Sequence, residues 1–233
     1  MTTRRAFLSA TSLLLSSATI SRAEDACAVF TKATQAATTS ADALRLLKAG
    51  NARFVAGQTV NCDVRRQVKE TAQGQAPFAA ILGCMDSRVA PELVFDQRIG
   101  DIFSVRVAGN FVNTDILGSL EYATQVAGAK LIVVLGHTDC GAIKGAIDDV
   151  KLGNLTDTLA NIRPAVLEVG GGSGDQSSKN KKFVQSVAEQ NVKDAAAALM
   201  TRSSVIASLV SDHKLKIASA IHDVSTGVVG WLA

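Results

Sequence analysis

The feature that most restricts the fold of this chain is a pair of short, uninterrupted apolar runs, each stopped by glycine. Phe78-Ala79-Ala80-Ile81-Leu82 ends at Gly83, and Leu131-Ile132-Val133-Val134-Leu135 ends at Gly136. A strand with one wet face alternates apolar and polar residues. A run with no polar member predicts a strand buried on both faces, as in a parallel sheet. Ile102-Phe103-Ser104-Val105-Arg106-Val107, stopped by Gly109, is a third strand candidate, and a strand over Leu215 to Ile221 closes the chain. Helical stripes lie between them. Asp42 to Phe54 carries Leu44, Leu46, Leu47, Ala49 and Phe54 and ends at Gly57, and Ile116 to Val126 carries Leu117, Leu120, Tyr122 and Ala123. A further helix is expected after Gly141, and a long helical region over residues 183–210, interrupted near Ser203. Gly170 to Gly174 reads as a flexible surface loop. Strands alternating with helices predict an α/β fold: one domain, with a central, mostly parallel β-sheet flanked by helices. No internal repeat or linker divides it.

Composition removes several classes. With 233 residues, 47% hydrophobic and 19% charged, the chain can bury one real core and is too apolar to be disordered. Aromatic residues make up only 4%, which leaves little for a stacking platform for bases or sugars. The formal charge of +3 is concentrated at the start: Arg4, Arg5 and Arg22 are three of the 24 basic residues, and the other 21 balance the 21 acidic ones. A neutral body lacks the concentrated basic face that nucleic-acid binding needs.

The first residues read as an address. Met1-Thr2-Thr3-Arg4-Arg5-Ala6-Phe7-Leu8 opens an apolar stretch running to Ile20, 14 residues from Phe7 and diluted by serines and threonines. A bilayer-spanning helix needs about 20 apolar residues, so this one is too short. Ser21-Arg22-Ala23 ends it with small residues where a signal peptidase reads. The pattern resembles a bacterial twin-arginine signal, which implies export of a folded chain to the periplasm; an ordinary amphipathic N-terminal helix is the alternative. The expected organisation is a signal peptide over 1–23 and one domain over 24–233. No other segment is long and apolar enough to insert stably in a membrane.

Four cysteines and three histidines are few enough to weigh singly. Cys84 directly follows one buried run, and His137 and Cys140 follow the other. In an open parallel sheet, functional groups gather where strands end, so neighbouring strands would bring these three side chains to one rim. Two thiolates and an imidazole suit Zn²⁺, and three protein ligands leave a fourth tetrahedral position for water, as in catalytic zinc sites. Buried cysteines are commonly just small core residues. Here, however, the flanks Cys84-Met85-Asp86-Ser87-Arg88 and Gly136-His137-Thr138-Asp139-Cys140-Gly141 are polar or small, which is costly beside a buried strand unless it serves a purpose.

Cys84-x-Asp86-Ser87-Arg88 followed 53 residues later by His137-x-x-Cys140-Gly141 resembles the β-class carbonic anhydrases. The likeness continues through Gln75-Ala76-Pro77, Gly109-Asn110, Glu121-Tyr122-Ala123 and Asp223-Val224-Ser225-Thr226-Gly227, over roughly residues 40 to 233. The resemblance implies Cys84, His137 and Cys140 as ligands of one Zn²⁺ per subunit. It implies reversible hydration of CO2 to bicarbonate and a proton by attack of zinc-bound hydroxide. Asp86, held by Arg88, would orient the hydroxide, or swing onto the metal as a fourth ligand in a closed state. Gln75, Phe103, Ala108, Tyr122 and Gly141 would shape the substrate pocket, some of them donated by a neighbouring subunit, so a homodimer or larger homo-oligomer is implied. The alternative is that Phe103 and Tyr122 are simply core residues. Two other readings share the metal: hydrolysis of a CO2 analogue such as carbonyl sulfide or carbon disulfide, and a non-catalytic zinc-stabilised binding domain.

One branch of that family carries an Asn-x-x-Trp pattern near the first helix and a Tyr near the last strand, which help build a non-catalytic bicarbonate pocket that closes the site. The chain has Asn51-Ala52-Arg53-Phe54 and His222 instead, which favours the open branch with Asp86 paired to Arg88. His213 and His222 are of the residue type whose unperturbed pKa suits a proton shuttle, though such residues more often sit at surfaces or strand ends. Cys27 and Cys62 lie outside both motifs. In an oxidising compartment they are either a disulfide closing a 35-residue loop or two free thiols.

Overall fold

The computed structural model describes residues 27–172 and 174–232. The segment read as a signal, 1–23, lies outside the described residues, as does Ser173 within the glycine-rich stretch.

Among the described residues, three helices precede the sheet: α1 (Lys32–Ala37), α2 (Ser40–Val55) and α3 (Val64–Thr71). Then follow β1 (Ala79–Gly83), α4 (Pro91–Val94), β2 (Ile102–Arg106), α5 (Thr114–Glu121), β3 (Leu131–His137), α6 (Gly141–Ile147), α7 (Gly153–Ala160) and α8 (Arg163–Val169). The chain ends with α9 (Lys181–Arg202), α10 (Ser204–Ser211), β4 (Lys216–His222) and β5 (Val229–Trp231). The five strands form one sheet in the order β2-β1-β3-β4-β5. The first four are mutually parallel and β5 is antiparallel to β4.

The all-apolar runs lie where that patterning puts them. β1 and β3 are buried at every position and pair at the centre of the sheet. β2 carries Ser104 and Arg106 because it is an edge strand with alternate residues facing out. Along β1 and β3 successive residues feed opposite faces. Ala79, Ile81, Leu131 and Val133 join Ala43, Leu47 and Phe95 from α2 and the end of α4. Ala80, Leu82, Ile132 and Val134 join Leu120, Val192, Leu199 and Ile206 from α5, α9 and α10. Each fully buried leucine or isoleucine contributes about 1.5–3 kcal/mol against exposure.

Two helices show how local chemistry sets boundaries. Thr39 and Asp42 form a reciprocal capping box that starts α2. Ser203 leaves helical geometry (φ −125°, ψ 107°), ends α9 and caps α10 by accepting from the Ile206 amide. Its hydroxyl also donates to Glu121 Oε1 at 2.6 Å, tying this break to the end of α5.

The structure corrects the sequence reading at two places. The chain does not close on β4, because a three-residue strand follows and pairs with Ala220 to His222. It is reached through a turn in which Gly227 (φ 80°) donates to the Asp223 carbonyl, and three residues are too few to show a period. The helix expected to run to Val126 is α-helical only to Glu121; Tyr122–Val126 is a π-helical turn.

Cys27 and Cys62 are joined as a disulfide, 35 residues apart in sequence. The arm beside it is held further by Arg98, which donates to the Ala28 carbonyl at 2.6 Å, and by the Phe30 ring against Phe78 at 4.9 Å.

Candidate metal centre

From β1 the chain turns to β2 on one side of the sheet, and from β3 to β4 on the other. The carboxyl ends of β1 and β3 therefore meet at the switch point where open parallel sheets place their ligands. Cys84 is the first residue beyond β1, His137 is the last of β3, and Cys140 is the N-cap of α6. Their ligating atoms all lie within 4.8 Å of one another, and the two sulfurs are 3.9 Å apart. Two bonds of about 2.3 Å to one tetrahedral centre would separate the sulfurs by about 3.8 Å. All three side chains are buried.

The surrounding polar atoms prepare these donors. His137 Nδ1 lies 2.9 Å from the Thr138 carbonyl, which only accepts, so Nδ1 carries the proton and Nε2 the free lone pair. Among the described residues Nε2, which is buried, has no hydrogen-bond partner, an expensive state for an imidazole nitrogen unless it ligates. The Gly109 amide donates to Cys84 Sγ at 3.3 Å. Gly109 must be glycine: its φ is 82°, and a Cβ there would stand 2.4 Å from Ile162 Cδ1. Its carbonyl is held by Asn191 Nδ2 at 2.8 Å, from the buried face of α9. The Cys84 thiol is pulled below its ordinary value, chiefly by the hydrogen bond from Cys140, while that same bond and burial push Cys140 up. Two thiols so placed cannot both ionise without a cation between them. Soft sulfurs with one imidazole fit zinc and do not fit magnesium or calcium, which take oxygen.

Asp86 borders this cluster, its Oδ2 3.9 Å from His137 Nε2. Arg88 grips it side-on, Nε to Oδ1 at 3.0 Å and Nη2 to Oδ2 at 2.8 Å, and the Arg88 amide donates to Oδ1 at 2.9 Å. That grip holds the carboxyl well below the usual range. Sequence reasoning missed Arg106, which donates to the carbonyls of Cys84 at 2.9 Å and Asp86 at 2.6 Å and so fixes the loop carrying both. Its signal was a charged residue at the carboxyl end of β2, the strand beside β1.

Residues 79–229 match the carbonic anhydrase family profile. The chain is 39% identical over 194 residues to carbonic anhydrase 2 of Mycobacterium tuberculosis (strain CDC 1551 / Oshkosh), covering 79% of this chain and 89% of that protein. It is 40% identical over 172 residues to the carbonic anhydrase of Mycolicibacterium smegmatis, covering 71% and 80%. Among solved structures, a tetrameric β-carbonic anhydrase of Sordaria macrospora superposes with a TM-score of 0.63 at 28% identity, over 71% of this chain and 85% of that one. The chain belongs to the β-carbonic anhydrase family. A further β-carbonic anhydrase, from Aspergillus fumigatus, superposes with a TM-score of 0.63 at 28% identity, over 72% and 81%.

The remaining residues expected in the substrate pocket fall into two groups. Ala108 precedes Gly109 and Gly141 follows Cys140, so both flank the cluster along the chain, and a Cβ on Gly141 would meet nothing within 4 Å. Gln75 is exposed before the start of β1, at the opposite end of the sheet. Phe103 sits opposite Ala80, three residues or about 10 Å back from the rim. Its ring meets Tyr122 edge-on at 6.3 Å, and the two line an open groove of about 840 Å³ beside the edge strand. Gln75, Phe103 and Tyr122 thus do not converge on their own chain's cluster. His222 pairs in register with His137 and is buried, and among the described residues neither ring nitrogen has a hydrogen-bond partner. His213 is exposed in the turn before β4, at the far end.

Proposed function

We propose that this chain is a zinc carbonic anhydrase that interconverts CO2 and bicarbonate, with Zn²⁺ held by Cys84, His137 and Cys140. The observation that carries the reading is the buried, unpartnered Nε2 of His137 beside two sulfurs at tetrahedral spacing. When bound there, zinc brings the ionisation of a water into the neutral range and so supplies hydroxide, the behaviour for which carbonic anhydrase is itself the standard example.

The chain's own groups then do the orienting. Asp86, kept ionised and immobile by Arg88, accepts a hydrogen bond from the attacking hydroxide, which keeps its hydrogen and directs its lone pair at the carbon of CO2. A new carbon–oxygen bond forms, one C=O pair moves onto oxygen, and bicarbonate results. Arg106 and the Gly109 amide hold the Cys84–Asp86 loop and the Cys84 sulfur through the cycle. The burial of Cys84, His137 and Cys140 keeps bulk water from displacing the ligands.

Gln75, Phe103 and Tyr122 act across a subunit boundary in this reading, completing the pocket of a second copy. The exposed β2 edge and its groove support a homodimer or larger homo-oligomer built there. Residues 1–23 serve as a bacterial twin-arginine signal, delivering the domain over 24–233 to the periplasm, where the Cys27–Cys62 pair would form. Comparing CO2 hydration with carbonyl sulfide hydrolysis on one zinc-loaded preparation tests the substrate. CO2 turnover should exceed the other by orders of magnitude; the reverse order would make the chain an analogue hydrolase.

A further inference from the structure

The long helix α9 buries an apolar face made of Val184, Val187, Ala188, Val192, Ala195 and Leu199, and Asn191 is buried among them. An amide side chain in such a stripe costs free energy that a leucine of similar size would not, unless its hydrogen bonds serve a purpose. Asn191 is 3% exposed, and its Nδ2 donates to the Gly109 carbonyl at 2.8 Å.

Gly109 borders the metal cluster, its amide donating to Cys84 Sγ at 3.3 Å. Glycine is the most permissive residue in φ and ψ, so its own chemistry does not keep that amide on the sulfur. The surroundings do. The peptide that joins Gly109 to Asn110 is gripped at both ends. Asn191 holds its oxygen, and its N–H donates to the Val107 carbonyl at 3.0 Å. Ala142 and Ile162 close in on the side where a Cβ would stand. The Val107 bond is local to the turn, whereas Asn191 ties the turn to a helix on one face of the sheet.

We propose that Asn191 is a positioning residue of the metal centre. Through the Gly109 carbonyl it keeps the Gly109 amide on Cys84 Sγ, and so limits how much charge that sulfur gives to the metal. A hydrogen bond to a ligating sulfur draws electron density away from the ion, which leaves the ion the stronger Lewis acid. The placement stands on geometry alone; its effect on hydration rests on the carbonic anhydrase reading.

The test loads the full chain with ¹¹³Cd²⁺, which takes thiolate and imidazole donors as zinc does and is read by NMR. In the wild type a scalar coupling should link the cadmium to the Gly109 amide proton across the hydrogen bond. Its absence would overturn the proposal without recourse to any variant. In Asn191→Leu the coupling should vanish, and the cadmium resonance should move to lower field as the sulfur donates more. Asn191→Ala removes the same donor without bulk and should give the same two changes. Val187→Ala, on the same buried face, should weaken the fold and leave coupling and resonance in place. A coupling retained in both Asn191 variants, or lost equally in Val187→Ala, would reduce the residue to packing and overturn its assignment. On zinc-loaded chains the pH midpoint of CO2 hydration should rise in the Asn191 variants, and an unmoved midpoint would contradict the tuning. Absence of hydration in the wild type would sink the enzyme reading and leave the cadmium result standing.

Discussion

Cys84 Sγ and Cys140 Sγ stand 3.9 Å apart in hydrogen-bond contact, at the ends of two segments 56 residues apart in sequence. In the metal-free chain the contact makes them unequal: Cys84 is the readier thiolate and Cys140 keeps the shared proton. Zinc takes thiolates, so its uptake must drive off that remaining proton. Near pH 7 the thiols should therefore release about one proton per zinc, read from binding heats in buffers of different ionisation enthalpy. Release of two would mean the pair is fully protonated before metal arrives.

Arg88 grips Asp86 side-on beside the cluster, with Oδ2 3.9 Å from His137 Nε2, and the proposed function makes this carboxylate the group that orients the nucleophile. Asp86→Asn should keep one zinc per chain and lower kcat by about 10²-fold, the scale of a misoriented reacting group. Arg88→Gln should act in the same direction, because the carboxylate loses its bidentate hold. Undiminished hydration in Asp86→Asn would remove the role given to it.

The Cys27–Cys62 bridge closes 35 residues, for which the chain-entropy treatment gives about 3–4 kcal/mol. The double variant Cys27→Ser/Cys62→Ser should lose about that much in denaturant unfolding while retaining zinc. An unchanged midpoint would show that the arm is held by Arg98 and Phe30 alone.

Asp42 gives a pH dependence of known sign. Its carboxylate accepts from the Thr39 hydroxyl at 2.7 Å and from Arg45 at 3.0 Å, which lowers its pKa to about 2. The unfolded value is about 3.9. A depressed acid stabilises the fold fully above its unfolded pKa and loses that contribution as pH falls through the folded one. The α2 cap should therefore be intact at pH 5 and weaken as pH falls toward 2. A carboxyl ¹³C titration of Asp42 with its midpoint near 4 would contradict this.

Much of the centre was legible because it is local. Two apolar runs stopped by glycine fix β1 and β3, and polar residues straight after them mark the rim. What sequence hid was relational. Arg106 supports the Cys84 loop from a neighbouring strand, and Asn191 reaches Gly109 from 82 residues away. β5 is too short for periodicity, and the switch of hydrogen bonding at Tyr122 leaves the apolar spacing of α5 unchanged. Gln75, Phe103 and Tyr122 lie away from the metal ligands of their own chain, a separation that no spacing in one chain could reveal.

The most direct test is to titrate Zn²⁺ into the metal-free chain while following CO2 hydration. The rate should rise linearly, stop at one zinc per chain, and vanish in Cys140→Ser. Full hydration without metal, or none at one zinc per chain, would contradict the account.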